Sequence, residues 1–279
     1  MASKERENFF RITILILEHV KNVLVHLYKY YQQNVRKGEM SFEKFIGEHV
    51  ADIKYLKGTR IFFQKEVDKL IDGDKAISGL KADALEVTLV RRVLDNLCPE
   101  LFMDEGCNTL QDFLKMNQHD IYHLFKFNEQ CCQCAQDYAY PVSAELLNED
   151  QYKKMFKSQP CTKCVAKSGK VCSVSSCTNE EYIKFDYNVK KEVFGHFSPI
   201  YKAMQKLTDI RSEAYGHLVE ARISNELYDG YKKDIEENIM VIARFCGKEE
   251  ETQLALDEVQ QRFYRELMEV CRVIQNVFT

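Results

Sequence analysis

The sequence predicts an all-α protein, a helical bundle, and three observations carry that reading. Apolar residues recur at spacings of three and four through nearly every hydrophobic stretch. Start and stop signals flank those stretches. Gly (11) and Pro (4) are scarce for 279 residues, which argues against a turn-rich β architecture. Hydrophobic residues at 45% and charged residues at 29% exclude disorder over most of the chain, because that much apolar surface offsets chain entropy.

The first helix is expected over roughly Asn8 to Gln33, and its first half is apolar nearly all round, as in the middle of a bundle. Ser41 is placed to cap a run in which Phe42, Phe45, Ile46, Val50 and Ile53 share a face. Leu85, Leu89, Val93 and Leu97 repeat every four residues until Pro99 stops the helix. Asn108 is the expected cap of a helix bearing Leu110, Phe113, Leu114, Ile121 and Tyr122. Between Cys131 and Cys177 the pattern breaks, with Pro141, Pro160, Gly169 and one short helix over Asn148 to Phe156. A loop-rich stretch of that size needs something to hold it. Pro199 opens the next helix, with Ile200, Met204, Leu207 and Ile210 inside. Ser224 opens another, carrying Leu227, Tyr228, Tyr231, Ile235 and Ile242, with Gly247 just past its end. The closing helix is expected from about Glu249 to Val277, with Leu256, Val259, Phe263, Leu267, Val270 and Ile274 on one stripe.

This divides the chain into a helical half (1–130), a Cys-rich insert (131–179) and a second helical half (180–279). Leu85 to Leu94 can be laid against Phe185 to Phe194, and Asp120-Ile121-Tyr122 against Glu213-Ala214-Tyr215. Duplication and chance similarity between amphipathic helices both account for this.

Eleven cysteines, an odd number with several in close pairs, do not form a disulfide scaffold. With no signal peptide expected, they imply a reducing compartment, the cytoplasm or nucleus. The most apolar early run, Ile12 to Leu17, is far shorter than a membrane span, so no membrane association is expected. Two C-x-x-C pairs, Cys131/Cys134 and Cys161/Cys164, form the expected ligand set of a zinc ion, each biting one edge of a tetrahedron. Cys132 and Cys172 are substitutes, and Cys161, Cys164, Cys172 and Cys177 make a second, local arrangement. His119 and His123, at i and i+4, offer a nitrogen to either, although a satisfied or exposed helix face is the commoner role of such a pair. A four-thiolate site is closed, so the zinc is expected to be structural. Cys98, Cys107, Cys246 and Cys271 stand alone and are expected to behave as small hydrophobes.

A formal net charge of −4 argues against a surface built throughout for nucleic acid. One stretch is locally cationic: Lys153, Lys154, Lys157, Lys163, Lys167 and Lys170 lie between Gln151 and Asn179 with no Asp or Glu. It can meet RNA phosphates, or simply be a solvated loop.

Arg211-Ser212-Glu213-Ala214-Tyr215-Gly216-His217 ends the helix after Pro199. On an ideal helix Arg211 and His217 stand about 120° apart, but Gly216 can end the helix and let His217 turn back, while Tyr215 shares the arginine's face. A guanidinium that holds phosphate and an imidazole that moves a proton suffice to cleave RNA through its own 2′-hydroxyl. A salt-bridged Arg and a capping His are the default alternative.

This element, with Ile223-Ser224 and Tyr231-Lys232-Lys233-Asp234-Ile235 after it, resembles the HEPN superfamily, in the branch found in the DAZ-interacting zinc-finger ubiquitin ligase. Glu7-Asn8-Phe9-Phe10-Arg11, the segment Leu85 to Pro99, and the two C-x-x-C elements are also similar to that branch. The resemblance implies two HEPN-like repeats joined by the zinc insert, with R-x4–6-H motifs that meet at a dimer interface and often form a metal-independent endoribonuclease. It implies Arg211 on the scissile phosphate and His217 as acid or base, beside Tyr215 and Ser212. Ser212 stands where Asn is typical, and the aligned first-half positions are Gln118 and Leu124, so only the second half carries the motif. The expected function is binding of single-stranded RNA, with cleavage by a homodimer formed through the second half. The alternative is a catalytically silent protein–protein adaptor of the same fold.

Overall fold

Local capping chemistry sets where the helices begin. The structure, a computed structural model, describes residues 2–38, 40–103, 107, 109–131, 133–135, 138–158, 173–175, 177, 179–217 and 220–258. Helices α1 (Ala2–Ile14) and α2 (Lys21–Tyr30) join without a break through a π-helical turn at Leu15–Val20, and a second π-helical turn, Tyr31–Val35, extends α2. The Ser41 hydroxyl accepts the Lys44 amide and starts α3 (Phe42–Glu48); His49 interrupts the expected run before α4 (Val50–Gly58). A short α5 (Gln64–Val67) leads to a hairpin of β1 (Ile71–Asp72) and β2 (Lys75–Ala76), turned at Gly73 in the left-handed region.

Helix α6 (Val87–Leu97) ends before Pro99, as its proline stop requires. Thr109 caps α7 (Leu110–Met116) by accepting the Asp112 amide at 3.1 Å, one residue later than the expected Asn108, which lies outside the described residues. Next come α8 (Gln118–Phe125) and α9 (Glu149–Met155), the latter opened by a reciprocal Asn148/Gln151 capping box. Strands β3 (Phe156–Ser158) and β4 (Ser173–Ser175) pair antiparallel. Helices α10 (Tyr187–Phe197), α11 (Pro199–Gly216) and α12 (Asn225–Phe245) follow, capped at Asp186 and Ser224 where those caps are seen. Gly247 has a positive φ just past α12, and residues 249–258 are helical, the start of the expected closing helix. The fold is predominantly helical, and no described helix is long and apolar enough to cross a membrane.

Two compact units form, each built from separated stretches of the chain. One takes Met1–Gly38, Ala82–Val90 and Lys206–Thr279; the other takes Glu39–Lys81 and Arg91–Gln205. The physical reason is long-range pairing inside the first unit. Asn8, fully buried, donates to the Ile223 carbonyl at 3.2 Å and to Asn225 Oδ1 at 2.9 Å, while the Tyr30 and Phe245 rings meet at 4.7 Å. The opening helix therefore runs parallel to α12, its far neighbour in sequence.

In the second unit, Phe113 stacks on Phe194 with centroids 5.1 Å apart, and Tyr182 meets Phe194 at 5.2 Å. Lys190 sits inside this core at 1% exposure. Its ammonium donates to Asn96 Oδ1 at 2.7 Å and lies 4.6 Å from the Tyr182 ring centroid. Burial pulls its pKa down to about 8, against the opposing pull of Asp95 and Asp186.

Helices α6 and α10 both span 11 residues at an offset of 100, and each follows a 3-10 turn. Proline then stands at 99 and 199, where the likeness ends: Pro99 opens a 3-10 turn and Pro199 an 18-residue helix.

Candidate functional site

Helix α8 buries Ile121 and Leu124 completely and sets His119 and His123 one turn apart on another face. After Phe125 the chain turns back, with the Lys126 amide on the Tyr122 carbonyl and Asn128 in the left-handed region, which Asn tolerates. This return delivers Cys131 and Cys134 to the two imidazoles. One donor atom from each of His119, His123, Cys131 and Cys134 lies within 4.8 Å of all the others, so the cluster can hold a metal ion.

The spacing inside the cluster suits tetrahedral coordination. Cys134 Sγ is 3.5 Å from His119 Nε2, 3.2 Å from His123 Nε2 and 3.5 Å from Cys131 Sγ. Zinc bonds of ~2.3 Å to sulfur and ~2.0–2.1 Å to nitrogen, at tetrahedral angles, call for edges of roughly 3.8 Å between sulfurs and 3.5 Å from sulfur to nitrogen. Three edges of the tetrahedron are thus in place to within a few tenths of an ångström.

The surroundings favour a cation as well. Backbone amides point at both sulfurs, Cys131 N at Cys134 Sγ and Gln133 N at Cys131 Sγ, each at 3.3 Å. Burial nevertheless pushes the Cys131 thiol up to about 11, so the thiolate that those amides solvate needs a positive charge beside it. His123 is fully buried and burial holds its pKa below the usual imidazole value, which keeps the ring neutral, as a ligand must be. Its Nδ1 faces the Lys126 carbonyl at 3.3 Å, so that nitrogen carries the proton and Nε2 keeps its lone pair for the cluster.

Of the cysteines expected as ligands, Cys131 and Cys134 meet; Cys161, Cys164 and the substitutes Cys132 and Cys172 lie outside the described residues. Cys177 donates to the Lys154 carbonyl at 2.6 Å. The histidine pair does more than satisfy a helix face. Its signal was the spacing H-x3-H-x7-C-x2-C, the i, i+4 pair followed at short range by a C-x-x-C.

Among the described lysines of the cationic run, Lys153 pairs with Glu149 at 2.6 Å and Lys154 with Asp186 at 3.6 Å, while Lys157 is exposed. The run itself has no acidic residue, but its partners stand just outside it. Lys163, Lys167 and Lys170 lie outside the described residues.

In the other unit, Arg211 rides over the Tyr215 ring at 4.5 Å, and its buried Nε has no hydrogen-bond partner. No carboxylate pairs with it among the described residues. Ser212 is exposed and donates back to the Thr208 carbonyl at 2.9 Å. His217 is the first residue past α11; its amide donates to Ala214 O at 3.1 Å and its carbonyl accepts from Ala221 at 2.8 Å. The buried Asn8–Ile223 bond anchors the chain a few residues further on. At the aligned place in the first half, Leu124 is fully buried and its carbonyl accepts the Leu146 and Leu147 amides. The histidines beside it belong to the His/Cys cluster.

No family model, curated protein or solved structure matches the chain.

Proposed function

We propose that this chain is a zinc-stabilised helical protein of the HEPN type that binds single-stranded RNA at the end of α11 and cleaves it. The donor set of two imidazoles and two thiolates suits zinc, and four protein ligands leave no open position, so the ion's role is structural. It would tie the 131–134 turn to α8 and contribute folding free energy to a stretch with little core of its own. The thiol-rich composition supports a reducing, intracellular setting.

The observation that carries the RNA reading is Arg211: a guanidinium braced on Tyr215, six residues before His217, with no acidic partner among the described residues. Such a group is available to an anion in a way that a salt-bridged one is not. In the proposed reaction Arg211 holds the scissile phosphate. The RNA's 2′-oxygen bonds to phosphorus, the 5′-oxygen leaves, and His217 moves a proton at one of these oxygens. The products are a 2′,3′-cyclic phosphate and a 5′-hydroxyl. Self-association through 180–279 would bring two such elements together.

Zinc-loaded protein with no added divalent metal should therefore cut single-stranded RNA. His217→Ala and Arg211→Ala should each lower the rate by about 10²-fold or more with the circular dichroism spectrum unchanged. A wild-type chain that is inert at every concentration up to that of its dimer would overturn the nuclease. The second reading, a silent protein–protein adaptor, is favoured by the Ser212 hydroxyl turned back on its own helix and by the neutralised Lys153 and Lys154. It expects neither cleavage nor RNA binding.

A further inference from the structure

We infer that Tyr138 is the positioning residue of the metal centre, holding Asp120 against His119 with its hydroxyl while its ring confines both imidazoles. The inference rests on the zinc reading above.

Four residues past Cys134, the Tyr138 amide donates to the Ala135 carbonyl at 3.3 Å, which bends the chain back over the cluster it has just formed. The Tyr138 hydroxyl donates to Asp120 Oδ1 at 2.5 Å, and that oxygen lies 3.6 Å from His119 Nδ1. The Tyr138 ring centroid stands 4.5 Å from that of His119 and 5.0 Å from that of His123. Tyr140 closes on His123 from another side at 5.1 Å.

The two histidines need this help unequally. His123 is fully buried and already has the Lys126 carbonyl at its Nδ1. The His119 side chain is 22% exposed, and the carboxylate beside its Nδ1 belongs to Asp120, itself 43% exposed. An exposed carboxylate is free to swing toward solvent, and an imidazole can rotate to present either nitrogen. The Tyr138 hydroxyl restrains the first motion and its ring the second. A negative charge held beside Nδ1 favours the Nδ1–H tautomer, which leaves the Nε2 lone pair toward Cys134 and raises its basicity.

Tyr138→Phe keeps the ring and removes only the hydroxyl. In the 279-residue chain, competition with a chromogenic chelator should show zinc held about 10–100-fold more weakly in Tyr138→Phe than in wild type. Asp120→Asn should weaken it comparably, and the double variant should add little to either change, because the two residues act as one unit. Imidazole ¹⁵N NMR of the zinc-loaded protein should show the His119 nitrogen shifts moving and those of His123 staying. A packing role alone would not move one histidine without the other. Wild-type affinity and unmoved His119 shifts in Tyr138→Phe would overturn the assignment. A wild-type chain that takes up no zinc would overturn the zinc reading and this inference with it.

Discussion

Cys134→Ser is expected to abolish stoichiometric zinc uptake and to destabilise the second unit by more than about 3 kcal/mol, since loss of a structural metal is among the few single changes with effects of that size. Cys134 is the position to choose because its sulfur stands within 3.5 Å of the other three donor atoms. Removing it also leaves Cys131 buried beside an amide that no longer has a sulfur to meet. Cys246 is the control: a half-buried thiol outside the cluster, pushed up to about 12 by burial alone. Its replacement by serine removes one modest apolar contact and should cost roughly 1 kcal/mol. Urea unfolding with and without zinc separates the two. A chelator should bring wild type down toward Cys134→Ser and leave that variant where it was. Equal losses in the two variants, or a wild type indifferent to chelation, would remove Cys134 from the cluster's ligands.

Raising the pH from 8 to 10 is expected to stabilise wild type relative to Lys190→Met by about 2 kcal/mol. The folded Lys190 titrates near 8, whereas an unfolded lysine titrates near its ordinary value of 10.5. Between those values the unfolded chain holds a proton that the folded chain has released, so stability contributed at this site rises with pH across the window. Below pH 8 both states are protonated, and the folded one bears the cost of a buried ammonium held by Asn96 and the Tyr182 ring. Cys246 has a raised pKa and pulls the other way above pH 9, but it is shared by both proteins and cancels in the difference. Unfolding free energies of the two zinc-loaded proteins at pH 8, 9 and 10 supply that difference. Parallel profiles would show that Lys190 keeps its ordinary pKa.

Features governed by a few adjacent residues were legible in the sequence. Ser41 and Ser224 cap the helices they precede, a short helix follows Asn148, Pro99 and Pro199 bound theirs, and Gly247 follows α12. Thr109 displaced Asn108 as a cap because two neighbouring polar side chains compete and only geometry decides which one reaches the third amide. The unit borders were not legible, since they depend on Asn8 finding Ile223 some two hundred residues away. The histidine members of the cluster were half legible. Their i, i+4 spacing put them on one face, but whether that face meets solvent or sulfur depends on a left-handed Asn128 that sends the chain back. The acidic partners of Lys153 and Lys154 were not legible for a related reason: a count that stops at residue 151 omits Glu149, and one that stops at 179 omits Asp186.

The most direct test of the account is zinc-edge X-ray absorption on the purified chain, combined with elemental analysis. The expected result is about one zinc per chain with two nitrogens at ~2.0–2.1 Å and two sulfurs at ~2.3 Å. Absence of zinc, or a shell of four sulfurs, would contradict a centre built from His119, His123, Cys131 and Cys134.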